Sequence, residues 1–332
     1  MDTRHDFEKY LDRIYENHAR QWAFRGKTAE AFRLWQRRTR RGLLRLLTMK
    51  NRERVPLRLC RKVQRDTEHY IREKVHYQTL PGVVVPAYLF IPKRVKLPVP
   101  AVLCPPGHGG GMNQVVDESP GIYKQYPLEL VRRGMVALVP EHLGFGERAG
   151  EKGNDTRSNH AYLYLSLNLL GESQMGLMIW DLMRAVDVLQ VLPEVRADRI
   201  GCYGLSLGGE TTMLLSAVDT RIRAVCCSGF ISSYKSSFLD QCHCGCGYSF
   251  ALCRYLEHVD IASLIVPRPL AIESAVGDPI FPVATARKTY RQLRKLYALS
   301  GAQDRITQDV FEGGHEISGA IAYDWMERWL EG

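Results

Sequence analysis

The 332-residue chain contains no uninterrupted apolar run approaching the roughly 18 residues a membrane-spanning helix requires, so no membrane partner is expected. Its opening residues, Met1-Asp2-Thr3-Arg4-His5-Asp6, have no apolar stretch of the kind that forms the core of a secretory leader. The nine cysteines include no pair at the two-residue gap typical of zinc ribbons. Their odd number, without an export signal, argues against a disulfide framework and for free thiols in a reducing compartment, with the cytoplasm as the expected setting. Internal repeats and low-complexity tracts are also missing, which excludes solenoids and disordered linkers. What remains is the composition of a globular protein, 45% hydrophobic and 24% charged, long enough to bury a large core.

Acidic residues are scarce only at the start. Residues 1–66 hold nineteen Lys and Arg against eight Asp and Glu, while the remainder is nearly balanced and the whole carries +9. A basic segment suits nucleic acid or another acidic surface, but no nucleic-acid motif accompanies it. The expectation is therefore a solvated or subunit-contacting helical arm, a possible route to a homo-oligomer, with no nucleic-acid partner.

Residues 6–50 read as helical, because Phe32, Trp35, Leu43, Leu46 and Leu47 recur on one side of a helix. From Tyr70 the pattern becomes extended, with Tyr70–Thr79 and Val83–Ile91 joined by the turn Leu80-Pro81-Gly82. After Pro98, apolar runs (Ala101–Cys104, Met135–Val139, Arg199–Tyr203, Arg223–Cys227, Pro269–Glu273, Ile306–Phe311) alternate with helical stretches. Those stretches lie near Tyr126–Arg133, Met175–Leu192, Leu207–Val218, Val283–Leu299 and Ala320–Trp329. Such alternation predicts an α/β fold, a mostly parallel, doubly wound sheet covered by helices on both faces. The expected division is a basic helical extension over 1–66 and a catalytic domain over 67–332. Two segments are too long for ordinary connections, 229–262 and 144–171, and both are expected to wall a substrate pocket.

Gly204-Leu205-Ser206-Leu207-Gly208 lies between one apolar run and one helical stretch. A strand, a tight turn with serine at its apex, and a helix make a nucleophile elbow, whose flanking glycines let strand and helix approach. Serine needs a base, and the base needs an acid to fix its tautomer. Asp278 follows the Pro269–Glu273 run, and His315 follows the last one, giving the chain order Ser206, Asp278, His315 expected for this sheet. Singly, such an Asp is usually a turn residue and such a His a loop residue; the joint order points to catalysis. Glu273 is the rival acid, inside its strand; His108, His243 and His258 are rival bases in worse positions.

For the oxyanion, the N–H of Leu207 directly follows the nucleophile. A second donor is expected from Pro106-Gly107-His108-Gly109-Gly110-Gly111, at Gly110 with Gly109 as neighbour. A phosphate-cradling reading of that loop fails, since it lacks Lys-Ser/Thr and an immediate helix is not evident. Cys242-His243-Cys244-Gly245-Cys246, with Cys253 as a further thiol, invites a metal reading. Alternate residues of an extended chain point apart and no second cluster follows, so packing or pocket-lining thiols are preferred and no metal is expected.

Five stretches together resemble the alpha/beta-hydrolase superfamily, in its dienelactone-hydrolase-like and acetyl-xylan-esterase-like branch. They are Gly107-His108-Gly109-Gly110, Pro140–Glu147, Gly204–Gly209, Gly277–Pro282 and Glu312–His315, and the likeness runs from about Tyr70 to the end. It implies an alpha/beta-hydrolase fold, ester hydrolysis through an acyl-enzyme, no cofactor, and acetylated carbohydrates as a frequent substrate class. The Pro140–Glu147 loop is structural in that branch. Dienelactone hydrolases proper use cysteine, which Ser206 argues against, and neither the basic start nor the Cys-rich insert is general to the superfamily. The expectation is a cytoplasmic serine esterase acting on a small, short-acyl ester. A prolyl-oligopeptidase-like amidase and a non-catalytic binding protein on a hydrolase scaffold stay open beside it.

Overall fold

In the computed structural model, residues 6–18, 20–50, 52–117, 121–150 and 159–332 are described. Their nine strands are β1 (Cys60–Asp66), β2 (Tyr70–Leu80), β3 (Val83–Pro92), β4 (Val99–Leu103), β5 (Val136–Pro140), β6 (Val195–Leu205), β7 (Ile222–Ser228), β8 (Leu270–Ala275) and β9 (Ile306–Phe311). All join one sheet in the order β1-β2-β3-β5-β4-β6-β7-β8-β9. The first three pairings are antiparallel, and every pairing from β5 to β9 is parallel. The chain lays down β5 on one side of β4 and β6 on the other. That reversal opens a crevice at the carboxyl ends of the strands, where open α/β sheets bind ligands.

Sequence dictates the layering. Every residue of β4, β5 and β8 is buried, as continuous apolar strands covered on both faces must be. One buried cluster packs Leu103, Leu138 and Ile272 beneath the helices Gln174–Val191 and Leu207–Val218. The opposite face packs Phe90, Val102 and Tyr203 against the helices Tyr126–Arg132 and Ala322–Glu331. The fold is the α/β, mostly parallel, doubly wound arrangement that the alternation predicts.

Three local expectations differ. β1 falls within a segment read as helical extension; its sequence, Cys-Arg-Lys-Val-Gln-Arg-Asp, is exposed and charged, so it shows no apolar alternation. A one-turn helix, Met112–Val116, does follow the glycine loop directly. The helix Asn159–Leu169 lies within the stretch 144–171, of which 151–158 fall outside the described residues.

The basic extension is strapped to the rest. Its helices, Asp6–His18 and Ala29–Leu46, are separated by a stretch whose backbone pairs with the far insert, Gln21 N–H to Arg254 O and Trp22 N–H to Tyr255 O at 3.0 Å each. Phe32, Leu43 and Leu47 enter the main core. The Gln36 amide donates to the carbonyls of Ser263 and Val266, and Arg40 donates to those of Ala217 and Leu264. Arg20 adds a bidentate pair with the buried Asp260 at 2.8 and 2.9 Å. Arg20 and Arg40 thus serve carboxylate and carbonyl partners inside the chain. No helix among the described residues is long and apolar enough to cross a membrane.

Candidate active site

β6 ends at Leu205 and the fully buried helix Leu207–Val218 starts two residues later, with Ser206 between them at φ 63° and ψ −123°. A non-glycine residue in that region is strained, and an elbow holds its nucleophile this way. The glycines are sterically required. A Cβ on Gly204 would lie 2.5 Å from the Gly208 carbonyl oxygen, and one on Gly208 would lie 2.3 Å from that of Pro105. The Ser206 N–H is anchored on the Ser228 carbonyl at 3.1 Å, which fixes the elbow to β7.

Asp278 and His315 lie on different loops that the sheet brings together. The loop after β8 pairs with the loop after β9, Val276 N–H to Phe311 O and Gly277 N–H to Gly313 O, each at 2.9 Å. That ladder sets His315 Nδ1 2.8 Å from Asp278 Oδ2. Asp278 Oδ1 accepts the N–H groups of Ile280 and Phe281, locking the turn. Burial opposes ionisation of this carboxyl, but the hydrogen bond and charge of His315, with those two N–H groups, hold its pKa below the usual carboxylate value. His315 Nε2 is buried and has no hydrogen-bond partner among the described residues. The ring reaches back over Gly229, where a Cβ would lie 3.2 Å from His315 Cε1 and 2.8 Å from Leu205 Cδ1.

Ser206, Leu207 and His315 border a cavity of about 340 Å³. Its other walls come largely from the insert 229–262, with Phe230, Phe238 and Cys246 prominent, and from Phe281, which stacks on His315 at 5.7 Å. The stretch 144–171 supplies no described wall residue; its helix instead supports the insert, Tyr164 lying against Gly245. Two wall residues had no sequence signal of their own. Tyr123 comes from the loop before Tyr126, and Glu210, 2% exposed, has an Oε1 without a partner among the described residues. Burial raises the Glu210 pKa well above the carboxylate range.

Glu273 is occupied elsewhere, accepting the Tyr203 hydroxyl and the N–H groups of Ser318 and Gly319. Of the rival bases, His108 and His243 line the cavity. His258 is fully buried, with Nδ1 accepting the Ser232 N–H and the ring stacked on Phe230 at 4.5 Å. The glycine loop abuts the elbow at Gly107, where a Cβ would meet Leu205 O at 2.9 Å. The Gly110 N–H is already bonded to Gln114 Oε1 at 2.9 Å, and neither Gly109 nor Gly110 borders the cavity. Glu141, in the loop after β5, is structural: it accepts the Met112 N–H at 2.9 Å, with Gly111 and Gly146 closely packed on its carboxylate. In the Cys-rich segment the Cys246 thiol donates to Cys244 Sγ across 3.2 Å, which with His108 and His160 pulls the Cys244 thiol below its ordinary value.

Burial pushes the His258 imidazole down to about 3. The unfolded chain therefore takes up this proton below about pH 6.5 while the folded chain does not, so the residue lowers stability progressively as pH falls from 6.5 towards 3. His258→Asn keeps an acceptor for Ser232. Its stability relative to the wild type should rise by about 1.4 kcal/mol for each pH unit of acidification between about pH 5.5 and 4.5. Urea unfolding at several pH values measures this, and a pH-independent difference would show that the ring is charged or exposed.

The sequence model of the Abhydrolase family matches residues 8–237. The Bacillus subtilis (strain 168) protein named "Putative hydrolase YtaP" is 30% identical over 261 residues, covering 74% of this chain and 83% of its own length. Among solved structures, a "putative acetyl xylan esterase" from Bacteroides fragilis NCTC 9343 superposes with a TM-score of 0.78 at 21% identity, covering 92% of this chain and 81% of that one. Acetyl xylan esterase 1 from Thermoanaerobacterium sp. JW/SL YS485 gives 0.60 at 17%, covering 96% and 98%.

Proposed function

Since this chain belongs to the Abhydrolase family, we propose that it is a serine esterase in which Ser206 is nucleophile, His315 general base and Asp278 the acid that orients it. The observation that carries this reading is the 2.8 Å His315–Asp278 bond, with the opposite ring nitrogen buried and without a partner among the described residues at the cavity that Ser206 borders. Bonding Nδ1–H to a carboxylate leaves Nε2 as the lone-pair nitrogen, the tautomer that accepts a serine proton. Ser206 Oγ attacks the acyl carbon as its proton passes to Nε2. Collapse of the tetrahedral intermediate expels the alcohol, which takes that proton. Water then attacks the acyl-enzyme, giving one proton to Nε2; the acid leaves as that proton returns to Ser206 Oγ.

The Leu207 N–H, at the start of a helix, donates to the oxyanion. The second donor belongs to the glycine loop. Gly109 and Gly110 are its sequence-based candidates, but the bond from Gly110 to Gln114 favours the His108 N–H, next to Gly107 at the elbow. This chemistry needs no cofactor.

A cavity of about 340 Å³ sits at the small end of ligand sites and suits a short acyl group. The names of the structural neighbours support an acetylated carbohydrate as the ester, and nine free thiols suit a reducing, cytoplasmic setting. Nitrophenyl acetate, butyrate and octanoate, acetylated xylo-oligosaccharides and an aryl amide form the test panel. Acetyl esters should exceed octanoyl esters by at least about tenfold in kcat/KM, with the amide uncut. Preference for octanoate would overturn the short-acyl reading, and amide cleavage would turn it to an amidase.

A further inference from the structure

Three segments that serve different parts of the fold, two loops and a helix, meet beside the cavity. His108 comes from the glycine loop after β4, His160 from the helix Asn159–Leu169, and Cys244 from the insert. Their nearest ligand atoms, two ring nitrogens and one sulfur, all lie within 4.8 Å of one another. The two Nε2 atoms are 3.2 Å apart. Two zinc–nitrogen bonds of about 2.0–2.1 Å at a tetrahedral angle would set such nitrogens about 3.3 Å apart.

The rings are oriented from behind. Phe145, buried, stacks on His160 at 4.9 Å with planes 8° apart and meets His108 edge-on at 5.1 Å. Gly144 allows this packing, since a Cβ there would lie 2.9 Å from His160 Cβ. Tyr164, one turn beyond His160, packs against Gly245 and so fixes the Cys244 loop to the same helix. Two imidazoles and a thiolate form a borderline-soft donor set, suited to Zn²⁺ over Mg²⁺ or Ca²⁺. Sequence spacing concealed it, because only Cys244 of the Cys-rich segment takes part.

We propose that His108, His160 and Cys244 bind one Zn²⁺ at the edge of the cavity. His108 and Cys244 also line that cavity, so the fourth coordination position is left to water or to a ligand oxygen. The ion ties the glycine loop to the insert, which makes it a clamp on two walls of the pocket. The alternative for the same geometry is a metal-free set of hydrogen bonds among the two imidazoles and the Cys244 thiol.

The two are separated by titrating the full-length, chelator-treated protein with Co²⁺ in the presence of a phosphine reductant. The wild type should give one equivalent of binding, with the intense visible bands of four-coordinate cobalt and a thiolate-to-cobalt band in the near ultraviolet, both abolished by one equivalent of Zn²⁺. Cys244→Ser should lose the thiolate band, His160→Gln should bind at least about tenfold more weakly, and Cys242→Ser should match the wild type. Near-ultraviolet circular dichroism of the metal-free variants establishes that each is folded, and if Cys244→Ser is not, His160→Gln decides. Absence of cobalt bands in the wild type, or a thiolate band retained in folded Cys244→Ser, overturns the site.

Discussion

Ser206→Ala should lower kcat on an acetyl ester by about 10⁵–10⁶-fold while leaving the fold intact, because removing the nucleophile of a triad leaves only binding and the oxyanion donors. Stability should change little. The Ser206 side chain makes no capping bond to the helix it precedes, and alanine meets the same positive φ. Ser206→Gly makes the strain itself measurable. Glycine adopts φ 63° without a Cβ penalty, so this variant should be equally inactive yet about 1 kcal/mol more stable than Ser206→Ala in urea unfolding. Loss of activity with a gain of stability is the expected signature of a residue held in strain for chemistry. Turnover within tenfold of wild type in Ser206→Ala would remove the assignment.

The elements that could be read from sequence are those whose signal is local. β4, β5 and β8 are short apolar runs because both faces are covered, and the helices Leu207–Val218 and Val283–Leu299 appear at the residues expected. β1 carries no such signal, because it stands at the sheet's edge beside β2 with its side chains solvated. The elbow was legible because its glycines stand at fixed offsets from the serine: Gly204 answers a steric demand made within five residues, by the Gly208 carbonyl, while Gly208 makes room for the Pro105 carbonyl of the neighbouring loop. What could not be read is what depends on how the loops fold and on which other segments they meet. Gly110 looks free in a glycine run, but Gln114, four residues on, takes its N–H. His108 and His160 have no common pattern in sequence, yet their rings share one aromatic support in Phe145. Glu210 lies in a helix whose other residues are mainly apolar or small, and only its buried oxygen, without a partner among the described residues, draws notice.

The basic start is a comparable case. Its charge suits an external partner, whereas Arg20 and Arg40 are directed at Asp260 and at the carbonyls of Ala217 and Leu264. Tyr15 extends the same brace, its hydroxyl donating to Glu257, which caps the short helix His258–Ala262 at the end of the insert. The extension therefore braces the base of the segment that walls the cavity.

Asp278→Asn should lower kcat at neutral pH by about 10⁴-fold with the fold retained, the effect expected when the acid orienting the base becomes an amide. The geometry gives the reason. The amide that replaces the carboxylate can keep its oxygen on the Ile280 and Phe281 N–H groups, which leaves its NH₂ facing His315 Nδ1. An amide donor there requires Nδ1 to accept, so the proton moves to Nε2 and the ring can no longer take one from Ser206. Stability reports the same carboxylate by a separate route. A carboxyl with a depressed folded pKa stabilises the protein above its unfolded value, near 3.8, and that contribution disappears as pH falls through the folded value. The wild type should therefore be more stable than Asp278→Asn at pH 7, with the difference closing only in acid below that range. Kinetics and urea unfolding on the same two proteins test both halves. A kinetic loss under tenfold would mean that His315 is oriented without Asp278, and a stability difference that persisted unchanged at pH 3 would mean that Asp278 acts through packing and not through its charge.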